Sequence, residues 1–208
     1  MYYEAHQAHG LAHDPFKAII APRPIGWIST VDNTGTPNLA PYSFFNALSS
    51  SPPILMFSSE TLKDSARNAR DTGEFVFSLA TEKLQAEMNV SSDTVPAEEN
   101  EYLNARLATA KCNKVSAPRV AASPASMECV TLSCKEILDQ HGKPIDTFLV
   151  IGQVVGIHIS DEFIKDGRFD TAAANPLARC GYRDYASVTK VFEIMRPTDG
   201  EVYDGIDR

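Results

Sequence analysis

At 208 residues, with 43% hydrophobic and 22% charged residues, the chain has the length and composition of an ordinary globular protein able to bury a substantial core. A net charge of −8 and a pI near 5.1 argue against nucleic acid or an anionic membrane as partner, so an anionic ligand must be met by a local site. There is no run of roughly 18 uncharged apolar residues, no basic, apolar signal at Met1–His6, and no C-x-x-C pair among Cys112, Cys129, Cys134 and Cys180; a cytoplasmic protein with reduced cysteines and no metal centre is expected.

The first elements are short. His6, His9 and His13 have the spacing of one helix face and read as surface or subunit-contact residues. Phe16–Ile20 is an apolar segment with strand character. Ile25–Val31, rich in β-branched and aromatic residues, predicts a strand, and Asp32–Thr36 predicts a hairpin turn. The returning strand spans Pro37–Phe45, and its prolines make it an edge or irregular strand. Pro52-Pro53 then introduces a buried strand, Ile54–Phe57.

The next stretch carries the most chemistry. Ser58-Ser59-Glu60-Thr61-Leu62-Lys63-Asp64-Ser65 leads from that strand into a helix predicted from about Leu62 to Asp71 and ended by Gly73. Hydroxyls and a lysine at a helix start suit a phosphate, because the first N–H groups lack partners and the helix dipole is positive there. Thr61 with Asp64 also fits a capping box, which would serve stability alone. Both uses are open on the residues themselves.

Further along, Glu74–Ala80 reads as a strand, Glu82–Ser91 as a helix, and Ser92–Arg106 as a polar excursion with a short helix. Ala125–Leu138 and Thr147–Ile159 read as long strands around a turn at Gln140–Lys143. Gly152 and Gly156 suit bulges or close backbone approach. A last strand is predicted at Val188–Ile194, before Arg196-Pro197 and an acidic tail. About seven strands with two or three inserted helices favour a closed or nearly closed antiparallel barrel over a doubly wound sheet.

The sequence contains no G-x-G-x-x-G, P-loop, G-x-S-x-G or H-E-x-x-H motif. Ser29 and Thr30 close their strand and either face a ligand or satisfy backbone. Ser43 and Asn46 flank Phe44-Phe45. Asn46 has the donors and acceptor to read a uracil-like ring edge, or is a turn residue. His158 either points into a cleft or is a structural histidine. Arg179, between Pro176 and Gly181, is a surface ion-pair residue or is held over a ligand.

Several segments in order resemble one family. They are Arg23-Pro24 through Trp27-Ile28-Ser29-Thr30, Gly35–Phe45 with its Asn38, Ala40-Pro41 and Ser43, Lys63-Asp64-Ser65, Gly73-Glu74-Phe75-Val76, Gly152-Gln153-Val154 and Asn175–Gly181. Together they resemble the flavin reductase-like family of FMN-binding split barrels. Ser65 stands where the family usually has threonine and keeps the hydroxyl. Ser78 occupies a position often held by asparagine, and Gln153 one that is often acidic.

The resemblance implies a mainly β fold with peripheral helices, a split antiparallel β-barrel of Greek-key type. It implies a single domain over 1–208, with a core of about 16–195 and flanking segments that serve as dimer contacts or a mobile tail. The implied activity is transfer of hydride from NADH or NADPH to FMN (or FAD) at a homodimer cleft, with a partner oxygenase as one destination for reduced flavin. An FMN-retaining electron carrier served by another protein, and a non-redox ligand-binding module, are the alternatives. By the same resemblance Lys63, Ser65 and Ser59 meet the phosphate. Ser29, Thr30, Ser43 and Asn46 meet the ribityl chain or ring edge, and backbone near Ile28 and Phe45 contacts the ring. His158 and Arg179 are candidates for the nicotinamide side, and no side chain is required as acid or base.

Overall fold

The computed structural model describes residues 1–93, 95–96 and 99–195. Helix α1 (Phe16–Ile19) precedes strands β1 (Arg23–Pro24), β2 (Gly26–Val31), β3 (Pro37–Tyr42), β4 (Phe45–Ser50) and β5 (Pro53–Glu60). Helix α2 (Asp64–Thr72), strand β6 (Glu74–Leu79), a 3-10 turn (Glu82–Leu84), α3 (Gln85–Val90) and α4 (Glu101–Asn104) follow. The short pair β7 (Thr109–Ala110) and β8 (Arg119–Val120) leads to the long strands β9 (Ala125–Leu138) and β10 (Pro144–Ile159). The chain continues through β11 (Ile164–Lys165), β12 (Arg168–Phe169), α5 (Thr171–Ala174), β13 (Leu177–Arg179) and β14 (Tyr185–Ser187). No helix among the described residues is long and apolar enough to cross a membrane.

Seven strands form one antiparallel sheet in the order β3-β2-β6-β9-β10-β5-β4. Its edge strands, β3 and β4, are consecutive in the chain and joined by Ser43-Phe44 alone, so the sheet must curl until its edges approach. The result is the expected split antiparallel barrel. Closure depends on a bare backbone at Gly26: a Cβ there would stand 2.4 Å from Cδ2 of Phe45. The Phe45 ring also stacks on Phe77 at 4.8 Å. Prolines 37 and 41 sit in an edge strand, where a missing N–H is tolerated.

Alternation along the strands sorts the core into layers. Ile28, Phe57, Phe75, Cys129 and Val150 fill the interior, and Ala66 and Ala69 of α2 pack onto them. Each large apolar side chain buried this way contributes about 1.5–3 kcal/mol. On the other face of the sheet, Trp27 of β2 and Leu39 of β3 are covered by Leu84, Met88 and Tyr102, and the indole N–H donates to Ser91 Oγ at 2.9 Å. Gly73 ends α2 in the left-handed conformation, with φ 77°. The register of β10 on β9 shifts between Ile151 and Gly152 and between Val154 and Gly156. A Cβ at Gly152 would lie 2.3 Å from the Phe75 ring.

Four local expectations are corrected. Phe16–Ile19 is helical, with Phe16 and Ile19 exposed: Pro15 opens the turn, and so short an apolar run has no period to distinguish strand from helix. The return strand breaks at Ser43-Phe44 to make the barrel corner. The last strand is β14, pairing with β13, and residues 188–195 form none; Val191, Phe192 and Ile194 are exposed without a strand partner. The segment bearing His6, His9 and His13 is not helical; His9 lies 5.2 Å from the Tyr3 ring and His13 5.6 Å from Tyr182. Arg196-Pro197 and the acidic tail lie outside the described residues.

Candidate functional site

Strand β5 runs on through Ser58 and Ser59 to Glu60, and the chain turns at Thr61. Thr61 has φ 63°, rare for a β-branched residue, and is held by its N–H donating to Asp146 O at 2.8 Å. Lys63 then takes the extended N-cap conformation of α2, and no side chain caps the helix. The capping box is therefore not formed; Asp64 pairs with Arg67 instead. The first bond within the helix is from Arg67 N–H to Lys63 O at 2.9 Å, so the N–H groups of Asp64, Ser65 and Ala66 have no helical acceptor.

A cleft of about 400 Å³ adjoins this helix end, walled by Asn38, Ala40, Pro41 and Tyr42 of β3, by Thr61, Lys63, Asp64, Ser65 and Arg67, and by Ser91, Ser92, Asp93, Val95 and Glu101. Lys63 is exposed and makes no ion pair with a described residue. Ser65 is buried, its Oγ 2.8 Å from the Asn38 amide. The Glu101 carboxylate accepts from Leu39 N–H at 3.2 Å. Burial pushes its ionisation up, and the charges of Asp64 and Glu99 push the same way. Tyr42 faces Ser65 and Ser59, and burial likewise raises its phenol.

Of the residues singled out in the sequence, the structure brings Lys63 and Ser65 together on the cleft. Ser59 is fully buried at the end of β5; its Oγ lacks sound hydrogen-bond geometry, and its polar neighbour is the Tyr42 phenol. Ser29, Thr30 and Ile28 are fully buried and do not line the cleft. Thr30 Oγ1 accepts from Asn68 Nδ2 of α2 at 3.2 Å, and Ile28 belongs to the barrel core. Ser29 Oγ lacks a partner of sound hydrogen-bond geometry among the described residues, and its polar neighbour is the Tyr102 phenol on the opposite face of β2. Ser43 is half-buried at the barrel corner, and Phe45 packs inside. Asn46 is exposed on edge strand β4, its Oδ1 accepting from Ala47 N–H at 2.8 Å.

His158 and Arg179 lie in other places. His158 Nε2 is 2.6 Å from Oε1 of the buried Glu128, which also accepts from the N–H groups of Asn113 (2.9 Å), Lys114 (2.6 Å) and Val115 (3.2 Å). Gly156 makes room for this carboxylate, since a Cβ there would stand 3.1 Å from Glu128 Oε1. Cys112 completes a trio whose ligand atoms lie within 4.8 Å of one another. Burial, then the Glu128 charge, pushes the Cys112 thiol up to about 11, and the bonds on Glu128 leave it little acceptor capacity for a cation. Arg179, on β13, lies 4.4 Å over the Tyr185 ring and donates to Tyr182 O at 2.7 Å. Its neighbour in register, Arg23, ties Lys17 O, Ile20 O (3.3 Å) and Cys180 O (2.9 Å) together.

Asn38, Tyr42, Thr61, Arg67 and Glu101 line the cleft without having been singled out as site residues. Asn38 and Tyr42 lie within Gly35–Phe45 and Thr61 within Ser58–Ser65, segments that carry a usable signal; Glu101 carries none.

Comparison with known proteins gives a consistent picture. The family model described as flavin reductase like domain matches residues 20–176. An uncharacterized protein of Halalkalibacterium halodurans is 36% identical over 184 residues, which is 86% of this chain and 88% of the relative. The uncharacterized protein YwrF of Bacillus subtilis is 31% identical over 198 residues, covering 90% and 95% of the two chains. Among solved structures, nitrilotriacetate monooxygenase component B from Bacillus cereus superposes with a TM-score of 0.84 at 28% identity, covering 93% of this chain and 98% of that one. Flavoredoxin of Desulfovibrio vulgaris, at 19% identity and a TM-score of 0.74 over 96% and 100% of the chains, shares the fold.

Proposed function

We propose that this chain, which belongs to the flavin reductase-like family, is an FMN-binding oxidoreductase that takes hydride from NADH or NADPH. The observation that carries the reading is the uncapped start of α2, opening on a cleft beside Lys63, which makes no ion pair with a described residue. Three backbone N–H groups there lack helical acceptors, the Lys63 ammonium is exposed beside them, and the Ser65 hydroxyl adjoins them, a donor set that fits a phosphate monoester. A cleft of about 400 Å³ is in the range of small-cofactor sites.

In this reading Lys63 supplies charge, and Ser65, Thr61 and the backbone of Asp64–Ala66 supply directional bonds. Tyr42 forms the polar floor, with the buried Ser59 hydroxyl behind it. Ser43, Asn46 and the backbone at Phe45 stand at the corner where β3 passes into β4, and we assign them to the ring edge. Ser29, Thr30 and Ile28 support that wall from within. Bound flavin supplies the hydride-accepting ring, and the protein's part is to bind, orient and shield it. Hydride transfer itself requires no side-chain acid or base.

A homodimer belongs to the proposal. Val130 and Leu132 of β9 and Val155, Ile157 and Ile159 of β10 are exposed apolar side chains on adjacent strands, a surface that association would cover. A partner oxygenase is a natural consumer of reduced flavin, given that the Bacillus cereus relative is by name one component of a monooxygenase.

The test is an absorbance spectrum of the purified protein with FMN and with FAD, followed by NADH and NADPH oxidation with and without added flavin. Flavin binding with flavin-dependent oxidation of a nicotinamide supports the proposal. Bound flavin that bleaches only with a protein donor would assign an electron carrier instead, and failure to bind either flavin would refute both.

A further inference from the structure

We propose that Asn38 is an amide switch, turned by a proton on Glu101, that decides whether the Ser65 hydroxyl can donate to the phosphate; this rests on the phosphate reading of the cleft given above. The Asn38 amide lies between Ser65 Oγ, at 2.8 Å, and Glu101 Oε1, at 3.1 Å. Its two ends differ, so it has two orientations. With Glu101 ionised, the amide nitrogen must face the carboxylate. The amide oxygen then accepts the Ser65 proton and faces Leu39 N–H at 3.2 Å. In that state Ser65 offers an anion only lone pairs.

With Glu101 protonated the pattern reverses. Oε1–H donates to the amide oxygen, and Oε2 keeps the Leu39 N–H at 3.2 Å. The amide nitrogen turns to donate to Ser65 Oγ, and the Ser65 proton is released toward the cleft. A proton drawn from solvent onto Glu101 therefore accompanies the ligand; the hydrogen bonds of the amide to Ser65 and to Glu101 reverse direction, and the amide oxygen gives up Leu39 N–H, which stays on Glu101 Oε2.

The surroundings suit the exchange. Glu101 is buried and faces Asn38 and Leu39 on β3. Asp64 from α2 and Glu99 from its own segment oppose its ionisation, and burial opposes it most. Lys63, Arg67, Asp93 and Tyr42 line the same cleft. An arriving phosphate adds negative charge and favours the protonated form further.

The test uses Glu101→Gln, whose side-chain nitrogen can donate to the Asn38 oxygen while its oxygen accepts from Leu39, which fixes the protonated pattern. FMN and riboflavin are titrated into both proteins from about pH 6 to 8, by calorimetry in two buffers of different ionisation enthalpy. Glu101→Gln should bind FMN roughly tenfold more tightly than wild type at the alkaline end. Wild type should take up more protons per FMN than the variant, with the difference growing toward the alkaline end; the phosphate's own ionisation cancels in the difference. Adding Ser65→Ala to Glu101→Gln should remove the gain. Equal proton uptake by the two proteins, or weaker FMN binding by a variant that still binds riboflavin normally, would overturn the switch. FMN and riboflavin binding alike in both proteins would overturn the phosphate reading itself.

Discussion

Lys63→Ala isolates the charge at the start of α2. The ammonium is exposed and has no ion-pair partner among the described residues, and the backbone of Lys63, not its side chain, forms the N-cap. Truncation therefore strands no buried group, and stability should change by less than about 0.5 kcal/mol. Ligand affinity should change much more. A hydrogen bond from a charged donor contributes about 1.5–3 kcal/mol, and solvent exposure places Lys63 toward the lower end. That corresponds to a rise in Kd of roughly tenfold to a hundredfold. The helix dipole, about 0.3–1 kcal/mol, remains, so binding is weakened and not abolished. Flavin fluorescence titrations with FMN and riboflavin, together with a thermal melt, measure all three quantities. FMN affinity should fall while riboflavin affinity and Tm hold. An unchanged FMN Kd would refute the reasoning, and so would an equal loss for both flavins, which would make Lys63 a prop of the fold and not a phosphate ligand.

Other substitutions test how the scaffold holds the site. Gly26→Ala forces a methyl against the Phe45 ring and should destabilise by about 1–3 kcal/mol in urea unfolding; wild-type stability would show that the barrel corner yields freely. Ser91→Ala removes the acceptor of the buried Trp27 N–H and should reduce stability by about 1–3 kcal/mol while shifting the emission of the only tryptophan; an unmoved spectrum would contradict the bond. Burial opposes ionisation of Glu128, but the Asn113 and Lys114 N–H groups and His158 outweigh it, so its folded value lies below the ordinary 4.5. Its contribution to stability is therefore present at neutral pH and lost as pH falls through that lowered value. Glu128→Gln should reduce stability by about 1–3 kcal/mol at pH 7 and flatten the acid limb of a stability-against-pH curve; an acid limb as steep as wild type would count against the assignment.

Local chemistry was readable where it decides the structure. Asp32 organises the hairpin turn by accepting from Thr34 N–H and Thr36 N–H, both at 2.8 Å, as the turn composition implied. Gly73 stops α2 because that position requires a positive φ, and Gly152 and Gly156 sit at the register shifts their lack of a side chain suggested. Lys63 and Ser65 were readable as a pair because strand, turn and helix are contiguous there. What escaped was long-range. Glu101 is distant in sequence from Asn38, and only the excursion that folds back over β3 joins them. Ser29 and Thr30 left two readings open at a strand end, facing a ligand or satisfying backbone, because nothing local reveals that α2 and Tyr102 cover them. Glu128 meets His158 only through the bulged register of two strands.

A crystal structure of the protein with FMN tests the central claim most directly. Phosphate oxygens within hydrogen-bonding reach of the Asp64–Ala66 N–H groups, with Lys63 Nζ turned onto them, is the result expected. Flavin bound with its phosphate elsewhere, and the start of α2 facing only water, would contradict the account.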